Sequence, residues 1–381
     1  MNPPRLASVR IQGYRPFEDF TAKLGSLDVV VGANGTGKSS LFEFLRFLRD
    51  GMRERIPPEV VPGSAGQAFH VPGPERMRWT IEVSKGPEAP SRYEGELLGP
   101  LGRLHVSFER VVDSENRPLL HVDGSEGTIR VDAQSEPRKA VRRYANQLLL
   151  GDVTARETAA LYQLREFIAG WRFYSSFEIA TDKIRRSVPV EQEPVLHENA
   201  GNLSAVLFYL LTEHRSAFDE VEQHLRTAVP GFQRLSVRAL GAPGNVIAFW
   251  HEAGVDTDLT LADLSDGILR FLCCTVLCVL PEPPALICID EPDLGVHPRT
   301  LPVLAGLFEK ASDRAQFLLA THDSYFLRQF PVSRVAILRK KGGQTEFVRP
   351  TDSKALLANL EEFGSEEIEL MHRTDELEAL A

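Results

Sequence analysis

The chain has 381 residues, 43% of them hydrophobic and 25% charged, with a formal net charge of −10. That composition belongs to a folded globular chain, which excludes disorder as the organising state, and the length suffices for a large core or two lobes. No window offers the roughly eighteen uninterrupted apolar residues of a membrane helix, and the first residues lack a signal peptide's apolar stretch, so a cytoplasmic protein without a membrane partner is expected.

The acidic balance argues against a surface generally adapted to polyanions. Three basic stretches leave a local patch for DNA open beside the blander reading of solvated faces. They are Arg138, Lys139, Arg142 and Arg143; Lys183, Arg185 and Arg186; and Arg339, Lys340 and Lys341. Cys273, Cys274, Cys278 and Cys288 all sit in apolar runs, as buried thiols do.

In chain order, Leu6 to Ile11, Phe17 to Lys23 and the apolar Leu27 to Val31 read as strands, and a helix from Ser39 carries Leu41, Phe42, Phe44, Leu45 and Leu48 at helical spacing. Alternation from Arg78 to about Ala133 predicts antiparallel strands. Helices are expected over Lys139 to Leu150, Thr154 to Trp171, Leu203 to His214 and Ala217 to Ala228. Strands return at Leu235 to Ala239 and Val246 to Trp250, before an apolar helix from Ser265 to Leu280 that Pro281, Pro283 and Pro284 stop. Ala285 to Ile289 and Gln316 to Ala320 read as buried strands around a helix from Leu301 to Ala311, with Val335 to Leu338 as a further strand. This strand–helix–strand rhythm predicts an α/β fold with a mainly parallel sheet covered on both faces. An acidic, weakly helical tail follows from Glu361.

Gly32-Ala33-Asn34-Gly35-Thr36-Gly37-Lys38-Ser39 matches the phosphate-binding loop between an apolar strand and a helix, the context that this motif requires. Backbone N–H groups from Asn34 through Ser40 would curl around the phosphates of ATP, Lys38 would reach the β- and γ-phosphates, and Ser39 would ligate Mg²⁺. Leu286 to Asp290 is an apolar strand ending in Asp290 and Glu291. There Asp290 would hold Mg²⁺, directly or through water, and Glu291 would take a proton from the attacking water, unless the pair only ends a buried strand. Leu264-Ser265-Asp266-Gly267 precedes the long apolar helix and reads either as a helix cap or as an anion-binding helix end. His322 follows the last buried strand, on the side where α/β sheets bind ligands, and could polarise the γ-phosphate.

These four motifs in this order resemble the ABC-type ATPases, specifically the soluble SMC, RecF and OLD branch. Leu264 to Gly267 looks like that family's signature motif and His322 like its switch histidine. Glu291-Pro292-Asp293-Leu294-Gly295-Val296-His297-Pro298 resembles the segment after the catalytic glutamate in bacterial OLD-like "predicted ATPases" that carry no TOPRIM domain. The resemblance implies an ABC-ATPase head with an antiparallel β-subdomain and an inserted helical lobe. Residues 1–134 and 283–350 would form the core lobe and 135–282 the helical lobe, leaving 351–381 as the tail. It also implies a homodimer, alone or within a higher oligomer, in which ATP bound by Lys38 of one copy meets Ser265 and Gly267 of the other. His297 departs from the aspartate usual in transporters and SMC relatives, and Gln67 is the best candidate for a Q-loop glutamine.

No sustained heptads lie between Lys38 and Ser265, which excludes a long coiled coil. Too little chain follows His322 for a TOPRIM domain, and Asp256-Thr257-Asp258 imitates a metal motif but reads as a strand turn. The preferred expectation is an ATPase that controls a separately encoded effector, a TOPRIM-type nuclease in anti-phage defence. A RecF-like DNA repair ATPase and an assembly scaffold of negligible turnover are the alternatives.

Overall fold

The computed structural model describes residues 4–58, 68–84, 91–131, 135–154, 158–175, 177, 184–240, 244–353, 369, 371 and 372. The chain divides into two compact units, one of Met1–Trp171, Ser333–Glu362 and Thr374–Ala381, the other of Arg172–Val332 and Phe363–Arg373.

The first unit opens with β1 (Arg5–Tyr14), β2 (Phe17–Lys23) and β3 (Leu27–Val31), followed by α1 (Lys38–Gly51). Six strands come next: β4 (Arg76–Ser84), β5 (Ser91–Leu98), β6 (His105–Val112), β7 (Pro118–Asp123), β8 (Glu126–Ile129) and β9 (Arg138–Val141). With β1 and β2 they make an eight-stranded sheet ordered β2-β1-β4-β5-β6-β7-β8-β9, antiparallel throughout. Alternation drives it: in β4, Met77, Trp79, Ile81 and Val83 are buried between more exposed neighbours. Two helices follow, α2 (Leu149–Asp152) and α3 (Ala159–Ala169), the latter capped by the Thr158 hydroxyl.

The helix expected over Lys139 to Leu150 is not formed. Arg138–Val141 pairs with β8 instead, and only Leu149–Asp152 is helical. The reason lies far along the chain. The Glu109 carboxylate, fully buried, accepts from Arg142 Nη2 at 3.0 Å and from the backbone N–H groups of Leu149 and Leu150 at 2.7 and 2.9 Å. A buried ion pair requires such supporting hydrogen bonds, and their demands override local helix propensity.

The second unit contains, in order, β10 (Arg172–Ser175), β11 (Val188–Pro189), α4 (Leu203–Glu213), α5 (Arg215–Ala228), β12 (Phe232–Ala239), β13 (Asn245–Glu252), β14 (Leu259–Thr260), α6 (Asp266–Val279), β15 (Leu286–Asp290), α7 (Leu301–Ala311), β16 (Gln316–Ala320) and α8 (Ser324–Leu327). β15 pairs in parallel with both β10 and β16. β12, β13, β11 and β14 form a separate antiparallel sheet. α6 is almost wholly buried from Phe271 to Val279, and burial pushes the thiols of Cys273, Cys274 and Cys278 up, so they stay protonated.

The chain then returns to the first unit with β17 (Val335–Lys341), parallel to β3, and β18 (Gln344–Val348), antiparallel to β17. Gln67 and most of the acidic tail lie outside the described residues. Of the tail, Glu369 pairs with Arg328 at 3.1 Å, and His372 Nδ1 lies 3.1 Å from the Ser324 hydroxyl. No helix among the described residues is long and apolar enough to cross a membrane.

Candidate nucleotide site

In the first unit, every residue of β3 is buried, and the strand is anchored by Asp28, which accepts from Arg349 and from the Gly25 N–H, both at 2.7 Å. Burial raises the Asp28 carboxyl's pKa, against the opposing pull of Arg349. The chain leaves β3 into the loop Gly32–Gly37, where two glycines are obligatory. Gly32 has φ 152, and a Cβ there would overlap the Leu338 carbonyl oxygen. Gly37, the N-cap of α1, has φ 110, and a Cβ there would meet the Phe17 ring at 2.8 Å.

The loop is held in shape from within. The Thr36 hydroxyl donates to the Ala33 carbonyl at 2.9 Å, and the Thr36 carbonyl accepts from the Thr345 hydroxyl at 3.0 Å. Lys38 Nζ donates to the carbonyls of Gly32 and Ala33. Ala33, Asn34, Gly35 and Ser39 are exposed while Thr36, Gly37 and Lys38 are buried, so the outer rim of the loop faces solvent. No acidic residue occupies the first turn of α1, which leaves the positive end of its dipole uncancelled.

In the second unit, Asp290 ends β15 opposite Ala320, and the Glu291 N–H donates to the Ala320 carbonyl at 2.8 Å, carrying the pairing one step further. Glu291 has φ 52, a left-handed conformation uncommon for a side chain of its size. Such strain costs on the order of 1–2 kcal/mol and concentrates at functional sites. β16 is followed by buried Thr321 and exposed His322. The strand register therefore brings Asp290, Glu291 and His322 to neighbouring strand ends.

Two residues without an assigned role tie these ends together. Thr321 Oγ1 donates to Asp293 Oδ1 at 2.7 Å and accepts from the Asp323 N–H at 3.0 Å, while Asp323 Oδ1 caps α8 through the Phe326 N–H at 2.5 Å. Burial pushes the Asp293 carboxyl up to about 6, the Thr321 hydrogen bond opposing and the Asp323 and Glu291 charges adding to the rise.

Ser265 is the N-cap of α6, its hydroxyl accepting from the Ile268 N–H at 3.4 Å. Gly267 packs so closely on Gly295 that a Cβ would overlap the Gly295 carbonyl oxygen, and Arg270 Nη1 donates to the Leu294 carbonyl at 2.8 Å. The start of α6 is thereby locked to the segment that follows Glu291. His297, at the departure from the family's aspartate, accepts from the Arg299 N–H through Nδ1 at 3.2 Å and caps a short 3-10 turn. Asp258 pairs with Arg238 at 2.6 Å and with His251 at 2.8 Å, and among the described residues no cluster of three or more His, Cys, Asp or Glu is arranged to hold a metal. Ser39 in the first unit and Asp290 in the second each carry an oxygen donor of the kind Mg²⁺ prefers.

A family model described as "AAA domain, putative AbiEii toxin, Type IV TA system" matches residues 29–328. A comparison with curated protein sequences gives no match. Among solved structures, the chain is similar to an Smc head bound to the C-winged helix domain of ScpA, with TM-score 0.56 and 14% identity over 90% of this chain and 97% of that one. It is also similar to an Smc head with an extended coiled coil bound to the C-terminal domain of ScpA, from Pyrococcus furiosus, with TM-score 0.52 and 11% identity over 94% and 100%. At these identities the likeness is one of fold. The matched family model spans most of the chain, from the strand before the phosphate loop to the helix after His322, and the chain belongs to this AAA-domain family, with the fold of an ABC-type ATPase head.

Proposed function

We propose that this chain is an ATPase that closes into a homodimer around Mg²⁺-ATP and thereby controls a separately encoded effector. The observation that carries the reading is the strand-end arrangement of Asp290, left-handed Glu291 and His322 in a chain whose phosphate loop is built for a polyanion.

In this mechanism the N–H groups of Gly35 to Ser40 and the Lys38 ammonium bind the phosphates, and Asn34 borders them. Ser39 and Asp290 would hold Mg²⁺, which neutralises phosphate charge when bound. Glu291 accepts a proton as water attacks the γ-phosphorus. The new bond forms between the water oxygen and phosphorus while the bond to the β-phosphate bridging oxygen breaks, releasing ADP and phosphate. His322 donates to the γ-phosphate oxygens as their charge shifts, and Ser265 and Gly267 of a partner copy close the site with the positive end of α6.

An effector is favoured over direct DNA binding by the fate of the basic stretches. Arg142 is spent on buried Glu109, Lys139 on Glu126, Arg185 on Asp266 and Arg339 on Glu346. The Smc heads similar in fold were solved with a separate protein, ScpA, and the family's description names a toxin of a "TA system"; both suit a two-component setting. A nuclease in anti-phage defence is the effector this reading prefers.

The test is mass measurement by analytical ultracentrifugation on Glu291→Gln, with and without Mg²⁺-ATP, followed by pull-down with the product of the neighbouring gene. A dimer appearing only with ATP and a nucleotide-dependent complex are expected. A monomer under all conditions contradicts the sandwich, and a dimer with no association in either state contradicts effector control.

A further inference from the structure

By sequence Arg185 belongs to a basic stretch, but its side chain points into the chain. Nη1 donates to the carbonyls of Leu261, Ala262 and Leu264 at 3.2, 2.8 and 3.0 Å, and Nη2 to Asp266 Oδ1 at 2.7 Å. Three backbone carbonyls from the loop that leads into α6 and the carboxylate of its first residue converge on one guanidinium. Its neighbour Ile184 is 1% exposed and fixes the backbone from which Arg185 reaches.

We propose that Arg185 is a positioning residue that shapes the Leu261 to Asp266 loop so that Ser265 and Gly267 can meet the nucleotide of a partner copy. This rests on the ATP-sandwich reading above. The argument is electrostatic as well as geometric. A loop that must approach phosphates carries groups that repel them: carbonyl oxygens, Asp263, and Asp266 in the first turn of α6, where its charge opposes an incoming anion. Asp263 is already turned inward, its carboxylate accepting from the Thr260 N–H and hydroxyl, both at 2.7 Å. Arg185 gathers the carbonyls of Leu261, Ala262 and Leu264 and offsets the charge of Asp266, so the start of α6 presents less negative charge to an anion. Gly267 pins the other side of the same turn to Gly295. Lysine cannot replace this fork, because an ammonium on a flexible stem does not hold the same divergent acceptors in one plane.

The experiment uses full-length chains in mixtures. In an ATP sandwich each site takes its phosphate loop from one copy and its signature from the other. A chain defective at Lys38 and a chain defective on the signature side therefore restore one intact site when paired. Arg185→Ala alone should hydrolyse ATP about tenfold or more slowly, with ATP affinity held within about twofold because the phosphate loop is untouched. Mixed one to one with Lys38→Ala, it should recover toward about a quarter of wild-type activity, since about half the dimers are mixed and each holds one intact site. A control pairs Lys38→Ala with Ser265→Glu, whose carboxylate repels phosphate. Should Arg185→Ala not fold, Arg185→Lys takes its place in the same mixture.

Recovery in both mixtures supports the proposal. Recovery in the control alone overturns it, as does wild-type turnover by Arg185→Ala alone. Recovery in neither mixture removes the sandwich reading, and the role of Arg185 with it.

Discussion

The hydroxyl of Thr321, fully buried just past β16, donates a 2.7 Å hydrogen bond to Asp293 just beyond β15. The residue after Thr321 is His322 and the residue two before Asp293 is Glu291, so one bond ties the candidate base to the candidate switch. Thr321→Val keeps the shape and removes the bond, leaving a half-buried carboxylate without its donor. The expected cost is about 1–3 kcal/mol in urea unfolding, with hydrolysis falling further than ATP affinity. Equal loss of affinity and turnover would show that the bond supports the fold alone.

The Asp293 carboxyl, raised to about 6, gives the protein a pH signature. Its folded pKa exceeds the unfolded value, so the stability it contributes is complete below about pH 4 and is lost as pH rises through 6. Above that the folded protein carries the full cost of ionising it. Asp293→Asn keeps an acceptor for Thr321 without the charge, and should be more stable than wild type at pH 7 by about 1–2 kcal/mol after screening. The difference should shrink toward zero near pH 4, and a gain independent of pH would exclude this carboxyl as its source.

Gly267 sits against the Gly295 carbonyl oxygen with no room for a Cβ. Gly267→Ala must therefore displace backbone, at a cost of about 1–3 kcal/mol. Thermal unfolding should show the loss, and ATP-dependent dimer formation should weaken while nucleotide binding by the monomer persists. Unchanged dimerisation would separate this turn from the interface.

Glu109 satisfies Arg142 and two helix N–H groups from a fully buried position. Glu109→Leu leaves the guanidinium buried without a counter-charge, held only by the carbonyls of Val106 and Gly124, and should destabilise the first unit by about 3–5 kcal/mol. Glu109→Leu combined with Arg142→Met should recover much of that loss. If the double variant unfolds as readily as the single, the N–H groups of Leu149 and Leu150 carry the effect instead.

What could be read from the sequence follows from how local each signal is. β3 and β16 are mostly apolar runs, interrupted only by Asp28 and Gln316, and the observed strands, Leu27–Val31 and Gln316–Ala320, coincide with the expected ones. α7 also falls at Leu301–Ala311 as expected, with Pro302 in its first turn. β9 was unreadable because its partner is β8 and the pull on Arg142 comes from Glu109, distant in sequence. β10 is only four residues long with two residues between it and α3, too short to announce itself, and it is paired along β15. At the site, glycines and the charged residues in motifs announce themselves. Thr321 and Asp293 do not, since the bond between them spans 28 residues, and Arg185 reads as surface charge because its acceptors are backbone carbonyls far along the chain.

The central claim is that Glu291 takes the proton in ATP hydrolysis, and the measurement that tests it is phosphate release under saturating Mg²⁺-ATP by wild type and Glu291→Gln. Glutamine keeps the side chain's size and removes its basicity, so turnover should fall by about 10²–10⁴-fold while ATP affinity holds. Equal rates in the two proteins, or no turnover by the wild type, would contradict the account.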